Sequence, residues 1–475
     1  MDLETFFYYF GYLYPPVFII GVLCALDVIL KGRTAQGTIA WALCLVLFPI
    51  ITIPFYLIFG GRKFYGYVKA RRKDESELKE VGTVIYEKLQ KFAVDTGIEP
   101  KMALENLAKM PATNGNLIKV LENGQEKFSA VYEAISKAEK YILVQYYMVH
   151  HDKTGTEFKD ALLKKAAEGV KIYFLYDAIG SYELSGKYLK ELRKGGITVA
   201  QFGSYRFVRN KFQLNFRNHR KIIVIDGDTA FCGGLNVGDE YVGLDKKLSP
   251  WRDTHLKVKG PAVECIQLTF VEDWYSMESS YPQELIWEPE EAGDAETLVL
   301  PTGPADELDT CSHAFIASCN SAKNRLWIST PYFVPSAEVA SALEAAAVRG
   351  VDVRVIVPDK ADNLMVQLSS RSFIESVMKY GVKFYRYKNG FLHQKAMLVD
   401  DTLASIGTAN LDNRSFSLNF ELMLYGFDKT FINDIDNMLS RDFDDSEVVP
   451  AGDFSSKSFI YQLLARICRL LSPLQ

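Results

Sequence analysis

The stretch His219-Arg220-Lys221-Ile222-Ile223-Val224-Ile225-Asp226 is the most informative part of this 475-residue chain, because its pattern occurs twice. The second copy reads His393-Gln394-Lys395-Ala396-Met397-Leu398-Val399-Asp400. In both copies six residues separate the Asp from a further pattern, which is Gly233-Gly234-x-Asn236 or Gly407-Thr408-x-Asn410. The chain has only six histidines, so chance does not explain both copies. The sequence therefore predicts a duplicated fold in which two half-sites form one active site.

The apolar residues inside the two motifs, 222–225 and 396–399, predict two short buried strands. Side chains alternate along a strand, so His219 and Lys221 are expected on one face, and the second copy follows the same rule. An imidazole beside an ammonium suits a phosphate group. The Asp that ends each motif, Asp226 or Asp400, is expected to orient or charge-balance a histidine.

A phosphodiester resists attack because its negative oxygens repel nucleophiles, so fixed cations and hydrogen-bond donors must neutralise that charge. The motifs supply two of each: Lys221, Lys395, Asn236 and Asn410. One imidazole can then attack phosphorus to give a phosphohistidine, while the other protonates the leaving alkoxide and later deprotonates the incoming hydroxyl. The residues alone do not decide which histidine is the nucleophile.

No cluster of Asp, Glu and His has the spacing of a metal site, so neither a metal nor another cofactor is predicted. The seven cysteines lack paired spacing, which predicts no disulfide or zinc framework. A net charge of −5 argues against a general nucleic-acid-binding surface. Residues 206–221 nevertheless hold six Lys or Arg, Arg217 among them, and this stretch is predicted to steer an anionic substrate.

The first sixty residues contain two apolar stretches, 6–30 and 38–59, each long enough to cross a bilayer. More basic residues follow the second stretch than lie between the two, so the positive-inside rule predicts that the large remainder is cytoplasmic and meets anionic lipid. A cleaved signal peptide is the alternative, which the acidic Asp2 and Glu4 disfavour. Prolines within both stretches leave a re-entrant hairpin open.

Beyond the apolar stretches, strands alternate with amphipathic helices, which predicts layered α/β structure. The predicted boundaries are 1–61 for the membrane segments, 62–110 for a charged helical connector, and 111–287 and 298–475 for the two halves. The amphipathic segment 459–471 either packs on the body or lies in the membrane interface.

At these motifs the sequence resembles the phospholipase D superfamily, whose hallmark is a duplicated His-Lys-Asp motif followed by Gly and Asn. Four stretches are similar to the bacterial cardiolipin synthases: Asn215–Lys221, Gly233–Tyr241, Trp251–His255 and Gly407–Ser415. The resemblance implies two phospholipase D-like α/β sandwich domains with pseudo-twofold symmetry, preceded by a membrane helical hairpin. One departure is Thr408, where the family usually has Ser, but a hydroxyl for phosphate contact is kept.

The resemblance also implies roles for individual residues. His219 would be the nucleophile and His393 the acid and base. Gly234, Thr408 and Arg217 would help to bind substrate, and three residues would support the site from behind the reacting groups: Glu240, His255 and Glu421.

The reaction implied is transfer between two phosphatidylglycerol molecules, giving cardiolipin and glycerol at the bacterial inner membrane. Water as the acceptor would make the chain a phospholipid hydrolase. A nuclease and a non-enzymatic membrane scaffold are further alternatives. A homo-oligomer is left open.

Overall fold

The computed structural model describes residues 3–31, 34–60, 77–94, 99–203, 215–245, 248–360 and 362–475. The chain forms two compact units, the first comprising 1–68 with 205–216 and the second 69–204 with 217–475. The described helices of the first unit are α1 (Leu3–Lys31), α2 (Ala35–Leu47) and α3 (Pro49–Phe59).

Among the described helices, α1 alone is long and apolar enough to cross a membrane, over residues 14–31. The second apolar stretch was predicted to cross as one segment, but it forms two short helices that meet at Phe48. The cause is Pro49, which lacks an N–H and restricts the residue before it. Within this unit a Cβ on Gly21 would lie 2.4 Å from the carbonyl oxygen of Leu45, so only glycine permits the close approach of α1 and α2.

The second unit begins with a helical segment and continues with two halves of matching element order. The helical segment contains α4 (Glu77–Leu89) and α5 (Lys101–Ala108). The first half contains β1 (Thr113–Glu122), α6 (Asn123–Lys137), β2 (Tyr141–Tyr146), α7 (Lys153–Ala167), β3 (Lys171–Asp177), α8 (Gly186–Lys194), β4 (Thr198–Phe202), β5 (Arg217–Asn218), β6 (Ile222–Ile225), β7 (Thr229–Gly233), β8 (Trp251–Arg252), β9 (Thr254–Lys259) and α9 (Ala262–Glu278).

The second half contains β10 (Ala295–Thr302), α10 (Thr310–Ser321), β11 (Arg325–Ser329), β12 (Phe333–Val334), α11 (Ala337–Val348), β13 (Asp352–Pro358), α12 (Leu364–Met378), β14 (Lys383–Tyr387), β15 (Phe391–Leu392), β16 (Ala396–Val399), β17 (Leu403–Gly407), β18 (Leu411–Asp412), α13 (Asn413–Ser417), β19 (Asn419–Gly426), α14 (Lys429–Asp444), β20 (Ser446–Val448) and α15 (Phe459–Leu470).

The two halves have the same sheet order. In the first half the strands run β4-β3-β2-β6-β7-β9-β1, and in the second half they run β14-β13-β11-β16-β17-β19-β10, with β20 added at the outer edge. The pairings correspond as well, with three parallel strands at the outer end of each half and antiparallel pairs towards the centre. Antiparallel pairing of β1 with β10 joins the halves. The predicted duplicated α/β fold is thereby confirmed.

Two short strand pairs cross between the halves beside the motifs. The segment β5, immediately before His219, pairs in parallel with β19 of the second half. In the same way β15, immediately before His393, pairs in parallel with β8 of the first half. The predicted strands 222–225 and 396–399 form and are buried, but each His-x-Lys lies immediately before its strand and not within it, as had been predicted. Both motifs are therefore held at the junction of the halves.

Candidate active site

His219 is paired with a carboxylate from the opposite half. Its Nδ1 lies 2.8 Å from Oε2 of Glu421, a residue of β19, and its backbone N–H donates to the carbonyl of Phe420 at 2.9 Å. The side chain is 10% exposed, and its ring meets that of Tyr147 edge to face, with the ring centroids 5.0 Å apart. Because Nδ1 points to the carboxylate, Nε2 is left to face a substrate.

His393 repeats this arrangement in the opposite direction. Its Nδ1 lies 2.9 Å from Oδ2 of Asp253, which belongs to the first half, and its backbone N–H donates to the carbonyl of Arg252 at 2.8 Å. The side chain is 10% exposed, and its ring centroid lies 5.0 Å from that of Trp251. Each half thus supplies one histidine and the carboxylate for the other histidine.

Asp253 was missed by the sequence analysis, although the repeat contains a signal for it. Strand β7 pairs with β9 so that Gly233 faces His255, and β17 pairs with β19 so that Gly407 faces Met423. Asp253 and Glu421 each lie two residues before the facing residue, so they occupy equivalent positions of the duplication. The spacing from the glycine differs, 20 residues in one copy and 14 in the other, which hides the equivalence in the sequence.

The two motif lysines are buried beside the imidazoles. Lys221 is 0% exposed, with its Nζ 5.4 Å from the centre of the Tyr147 ring, and Lys395 is 3% exposed, with its Nζ 2.8 Å from Nδ1 of His393. Burial lowers the pKa of Lys221 to about 7 and that of Lys395 to about 8. Two cations in a site of low polarity are positioned to attract a phosphodiester anion.

Burial also sets the resting charge of the histidines. It lowers the pKa of His219 to about 4, against the opposing charge of Glu421, and it lowers the pKa of His393 with help from Lys395. Burial alone would raise the pKa of Glu421, but His219 and Lys221 hold it below its usual range. Burial likewise opposes the ionisation of Asp253, and Lys395 and His393 hold its pKa low. The resting site therefore holds neutral imidazoles and ionised carboxylates at pH 7.

The predicted role of Asp226 and Asp400 is wrong. The carboxylate of Asp226 accepts three backbone N–H groups, those of residues 139–141, each at 2.8 Å. Asp400 does the same for residues 323–325, also at 2.8 Å. Each Asp has a left-handed backbone, with φ of 53° and 49°, at the turn that follows its strand. They fix the start of β2 and β11 and are bound to backbone, not to a histidine.

The residues that follow the Asp shape the site from within. A Cβ on Gly234 would lie 1.9 Å from Oδ1 of Asp253, so this glycine makes room for the carboxylate. The hydroxyl of Thr408 accepts the N–H of Leu422 at 2.8 Å, beside Glu421, and is fully buried. Both residues were predicted to help bind substrate, and that role stays a prediction. The contacts that the structure shows are with Asp253 and with the backbone next to Glu421.

The two asparagines are engaged with neighbouring side chains. Asn236 donates to the hydroxyl of Tyr241 at 2.9 Å, and Asn410 donates to Oδ2 of Asp412 at 3.1 Å. Oδ1 of Asn410 is buried without a hydrogen-bond partner among the described residues. Each NH2 group has a second N–H, and phosphate contact by either amide stays a prediction.

Three further predicted residues lie at different places. His255 is fully buried next to the site, and burial with the charges of Lys127 and Lys221 lowers its pKa well below the usual range. Arg217 lies in β5. Burial raises the pKa of Asp177, and the positive charge of Arg217 partly offsets this rise. Glu240 contacts a histidine outside the two motifs, with its Oε1 3.4 Å from Nδ1 of His150.

His150, Asp152 and Glu240 are the trio of ligand-type side chains that converges in the described part of the chain. The carboxylate of Glu240 accepts a hydrogen bond from His150 and raises the pKa of this imidazole. Asp152 already accepts the N–H groups of Gly155 and Asp239, both at 2.7 Å. The trio is bonded within the protein, and the absence of a metal from the reaction stays a prediction.

Arg220 was also missed, although it stands between His219 and Lys221. Its guanidinium is buried, lies 2.7 Å from Oδ1 of Asp273, and donates to the carbonyl of Glu421 at 3.0 Å. It therefore ties the His219 segment to the carboxylate that supports it. Of the predicted substrate-steering stretch, residues 206–214 lie outside the described residues, as do the basic residues that follow the second apolar stretch.

Comparison with known proteins identifies the family. The sequence matches the family described as cardiolipin synthase, PLD-like domain, over residues 131–248 and 315–443, and the phospholipase D-nuclease N-terminal family over 19–61. Cardiolipin synthase A of Pseudomonas putida is 43% identical over 98% of both chains. The chain belongs to the bacterial cardiolipin synthase family of the phospholipase D superfamily. A second member of this family, cardiolipin synthase A of Pseudomonas aeruginosa LESB58, is 41% identical over 98% of this chain and 96% of its own.

A solved structure supports the fold of this cardiolipin synthase family member. The phosphatidylserine synthase of Haemophilus influenzae Rd KW20 superposes with a TM-score of 0.63 and covers 79% of this chain and 99% of its own. Its sequence identity is 17%, so the likeness concerns the fold alone.

Proposed function

We infer that this chain synthesises cardiolipin. It is a phosphatidyltransferase that moves a phosphatidyl group from one phosphatidylglycerol to the hydroxyl of a second and releases glycerol. The observation that carries this function is the pair of cross-half contacts, His219 with Glu421 and His393 with Asp253, beside two buried lysines. The relatives named cardiolipin synthase A, similar over nearly the whole chain, supply the substrate class.

The first step forms a phosphohistidine. Glu421 holds the proton of His219 on Nδ1, so the lone pair of Nε2 attacks phosphorus, and the bond from phosphorus to the glycerol oxygen breaks. Lys221 and Lys395 neutralise the charge on the phosphoryl oxygens. An anion between the lysines offsets their charge, so substrate binding raises the pKa of His393 and allows it to protonate the departing glycerol.

The second step uses the same groups in reverse. His393, now neutral, removes the proton from the hydroxyl of the acceptor lipid, and the oxygen attacks phosphorus as the bond to His219 breaks. Both histidine side chains are only 10% exposed, which keeps most bulk water from the phosphohistidine. A lipid hydroxyl held next to His393 therefore competes well with water. The proposed catalytic groups are His219, Lys221, His393 and Lys395, with Arg217 contributing to substrate binding.

The proposed domains are two phospholipase D-like domains at 111–287 and 298–475, a connector at 62–110 and a membrane anchor at 1–61. We propose a multi-pass anchor in the bacterial inner membrane with the catalytic halves in the cytoplasm, and anionic membrane lipids as partners. Nucleic acid is not a proposed substrate, because the net charge is −5.

Topology is tested with cysteine at Thr34, the N-cap of α2. A Thr34→Cys variant in intact cells should react with a thiol reagent that cannot cross the bilayer. A variant that reacts only after the cells are opened would overturn the multi-pass anchor.

The reaction is tested with the purified full-length protein in phosphatidylglycerol micelles containing excess chelator. Mass spectrometry follows the lipids, and an enzymatic assay follows free glycerol. Cardiolipin with equimolar glycerol is the expected result. Phosphatidic acid as the main product would make the chain a hydrolase, and activity that depends on added magnesium would contradict a metal-free mechanism. His219→Ala and His393→Ala proteins serve as background controls.

A further inference from the structure

The C-terminal helix α15 exposes an unusually apolar face. Six large side chains of this helix are between 46% and 78% exposed: Phe459, Ile460, Leu463, Leu464, Ile467 and Leu470. Their spacing places them along one side, and Ala465 on the opposite side is completely buried against Leu368 of α12 and Phe454. Adjoining apolar side chains of this number on a surface mark a place of contact. We call this side of α15 the apolar face.

The charge around the apolar face is positive, unlike that of the whole chain. Residues 454–475 contain Lys457, Arg466 and Arg469 and no acidic residue, whereas the chain as a whole carries −5. The guanidinium of Arg469 lies 3.9 Å from the centre of the Phe373 ring, on the side of α15 that packs against α12. Lys457 and Arg466 are the exposed basic residues of this stretch. Basic residues beside an apolar stripe are the pattern of helices that lie in a membrane interface.

A cavity of about 210 Å³ opens beside α15, between α12 and the segment that leads into α15. Three cations line it, Arg371, Lys379 and Arg386, together with the carboxylates of Glu375 and Asp453. Asp453 is already paired with Arg386. Arg371, Lys379 and Glu375 remain and carry a net charge of +1, which favours an anionic group of headgroup size over a floor formed by apolar side chains.

The helix pair α12–α15 is connected to the active site at both ends. Directly before α12, Asp362 accepts a hydrogen bond from Tyr332, whose ring centroid is 6.2 Å from that of His393. At the other end, the carbonyl of Gln475 accepts the N–H of Arg414 at 2.7 Å. Arg414 belongs to the short helix α13, which follows the Asn410 segment. The helix pair is therefore linked to the segments that lie next to His393 and Asn410.

We propose that the apolar face of α15 docks on an anionic phospholipid bilayer, with the neighbouring cavity taking one lipid headgroup. The proposal rests on the lipid substrates inferred above. Docking seats the catalytic unit so that phosphatidylglycerol passes from the bilayer to His219 and His393 without crossing bulk water. The apolar face thus affects how substrate reaches the active site, and the buried groups carry out the chemical steps.

Kinetics on two forms of substrate test the proposal. The variant Leu463→Asp/Ile467→Asp in the full-length protein should lose at least about tenfold in kcat/KM on phosphatidylglycerol vesicles, because two apolar side chains no longer enter the bilayer. Its rate on dihexanoyl phosphatidylglycerol below the micelle concentration should change less than about twofold. Leu117→Asp is the matched control, since Leu117 is 51% exposed on β1 and Leu463 is 46% exposed.

A measurement without catalysis separates this proposal from the proposed function. Leu463→Trp and Leu117→Trp proteins are placed in vesicles that contain phosphatidylglycerol with brominated acyl chains. Stronger quenching of the Leu463→Trp variant than of the Leu117→Trp control is expected, and it would stand even if the reaction proved to be hydrolysis. Equal quenching would overturn docking.

Other outcomes also overturn the proposal. Equal losses on vesicles and on the short-chain lipid would show that α15 only stabilises the fold. If the Asp variant converts a dimer to a monomer in light scattering, with unchanged kinetics on vesicles, a second copy of this chain covers the apolar face instead.

Discussion

Nδ1 of His393 lies 2.9 Å from Oδ2 of Asp253, although 140 residues separate them in the chain. The converse contact joins His219 to Glu421 across 202 residues at 2.8 Å. Neither motif histidine is paired with a carboxylate of its own half. The active site therefore exists only when the two halves are joined, which explains why the crossing strand pairs lie directly beside the motifs.

Removing the charge of a cross-half carboxylate should slow the reaction without unfolding the protein. Glu421→Gln and Asp253→Asn keep the size of the side chain but no longer hold the imidazole proton on Nδ1. We expect kcat to fall by about 10² to 10³-fold, because an imidazole in the wrong tautomer presents no lone pair or no proton to the substrate. Steady-state kinetics on phosphatidylglycerol measure the loss.

Asp401→Asn is the control for those variants, since the Asp401 carboxylate is 87% exposed and paired with Arg325. It should remain within about twofold of the normal kcat. A Glu421→Gln protein as active as this control would show that the carboxylate does not act on His219.

Asp226 and Asp400 should affect stability far more than catalysis. Each carboxylate accepts three backbone N–H groups, so Asp400→Ala should lower the free energy of unfolding by about 3 kcal/mol or more. Asp400→Asn should cost less, since Asn tolerates the left-handed backbone and keeps one acceptor. Denaturant unfolding gives both values. A variant with normal stability but strongly reduced kcat would revive a catalytic role for this Asp.

The pH dependence of substrate binding should reflect the buried lysines. Their pKa values are lowered to about 7 for Lys221 and about 8 for Lys395, and an ammonium loses its charge as pH rises through its pKa. The cations are therefore present below pH 7 and lost above pH 8, so kcat/KM should fall across this window. Bound substrate is an anion that stabilises both ammonium groups, so the alkaline fall of kcat should occur at higher pH.

Rate measurements from pH 5 to 10 at constant ionic strength test this prediction. Identical alkaline limbs for kcat and kcat/KM would contradict it, because substrate would then have no influence on the groups that titrate. A flat profile up to pH 9 would mean that the lysines stay charged in the free enzyme.

The duplicated motif was sufficient to predict the architecture. Regular strands such as β6 and β16 are continuous apolar runs bounded by polar residues, so their place is readable from local pattern. The crossing strands β5, β8 and β15 are two residues long, too short for any periodicity. These short strands bring the two motifs together, and only the folded chain shows them.

The sequence was less informative about which carboxylates pair with the motif histidines. Asp226 ends its motif at a turn, and a carboxylate there can reach either an imidazole or backbone N–H groups. Asp226 has a φ of 53°, and its carboxylate binds backbone N–H groups. No local sequence pattern predicts this backbone angle. Asp253 was not predicted because the segment from Gly233 to Asp253 is longer than the equivalent segment from Gly407 to Glu421.

The central claim is that His219 forms the covalent phosphohistidine while His393 handles the proton. A phosphatidyl ester of p-nitrophenol separates these roles, because its leaving group needs no protonation. His393→Ala enzyme should release a burst of p-nitrophenol equal to the enzyme concentration and retain the lipid phosphate on His219, as peptide mass spectrometry would show. His219→Ala enzyme should give neither burst nor adduct. A burst from His219→Ala with the adduct on His393 would reverse the roles, and no adduct in either variant would contradict the covalent mechanism.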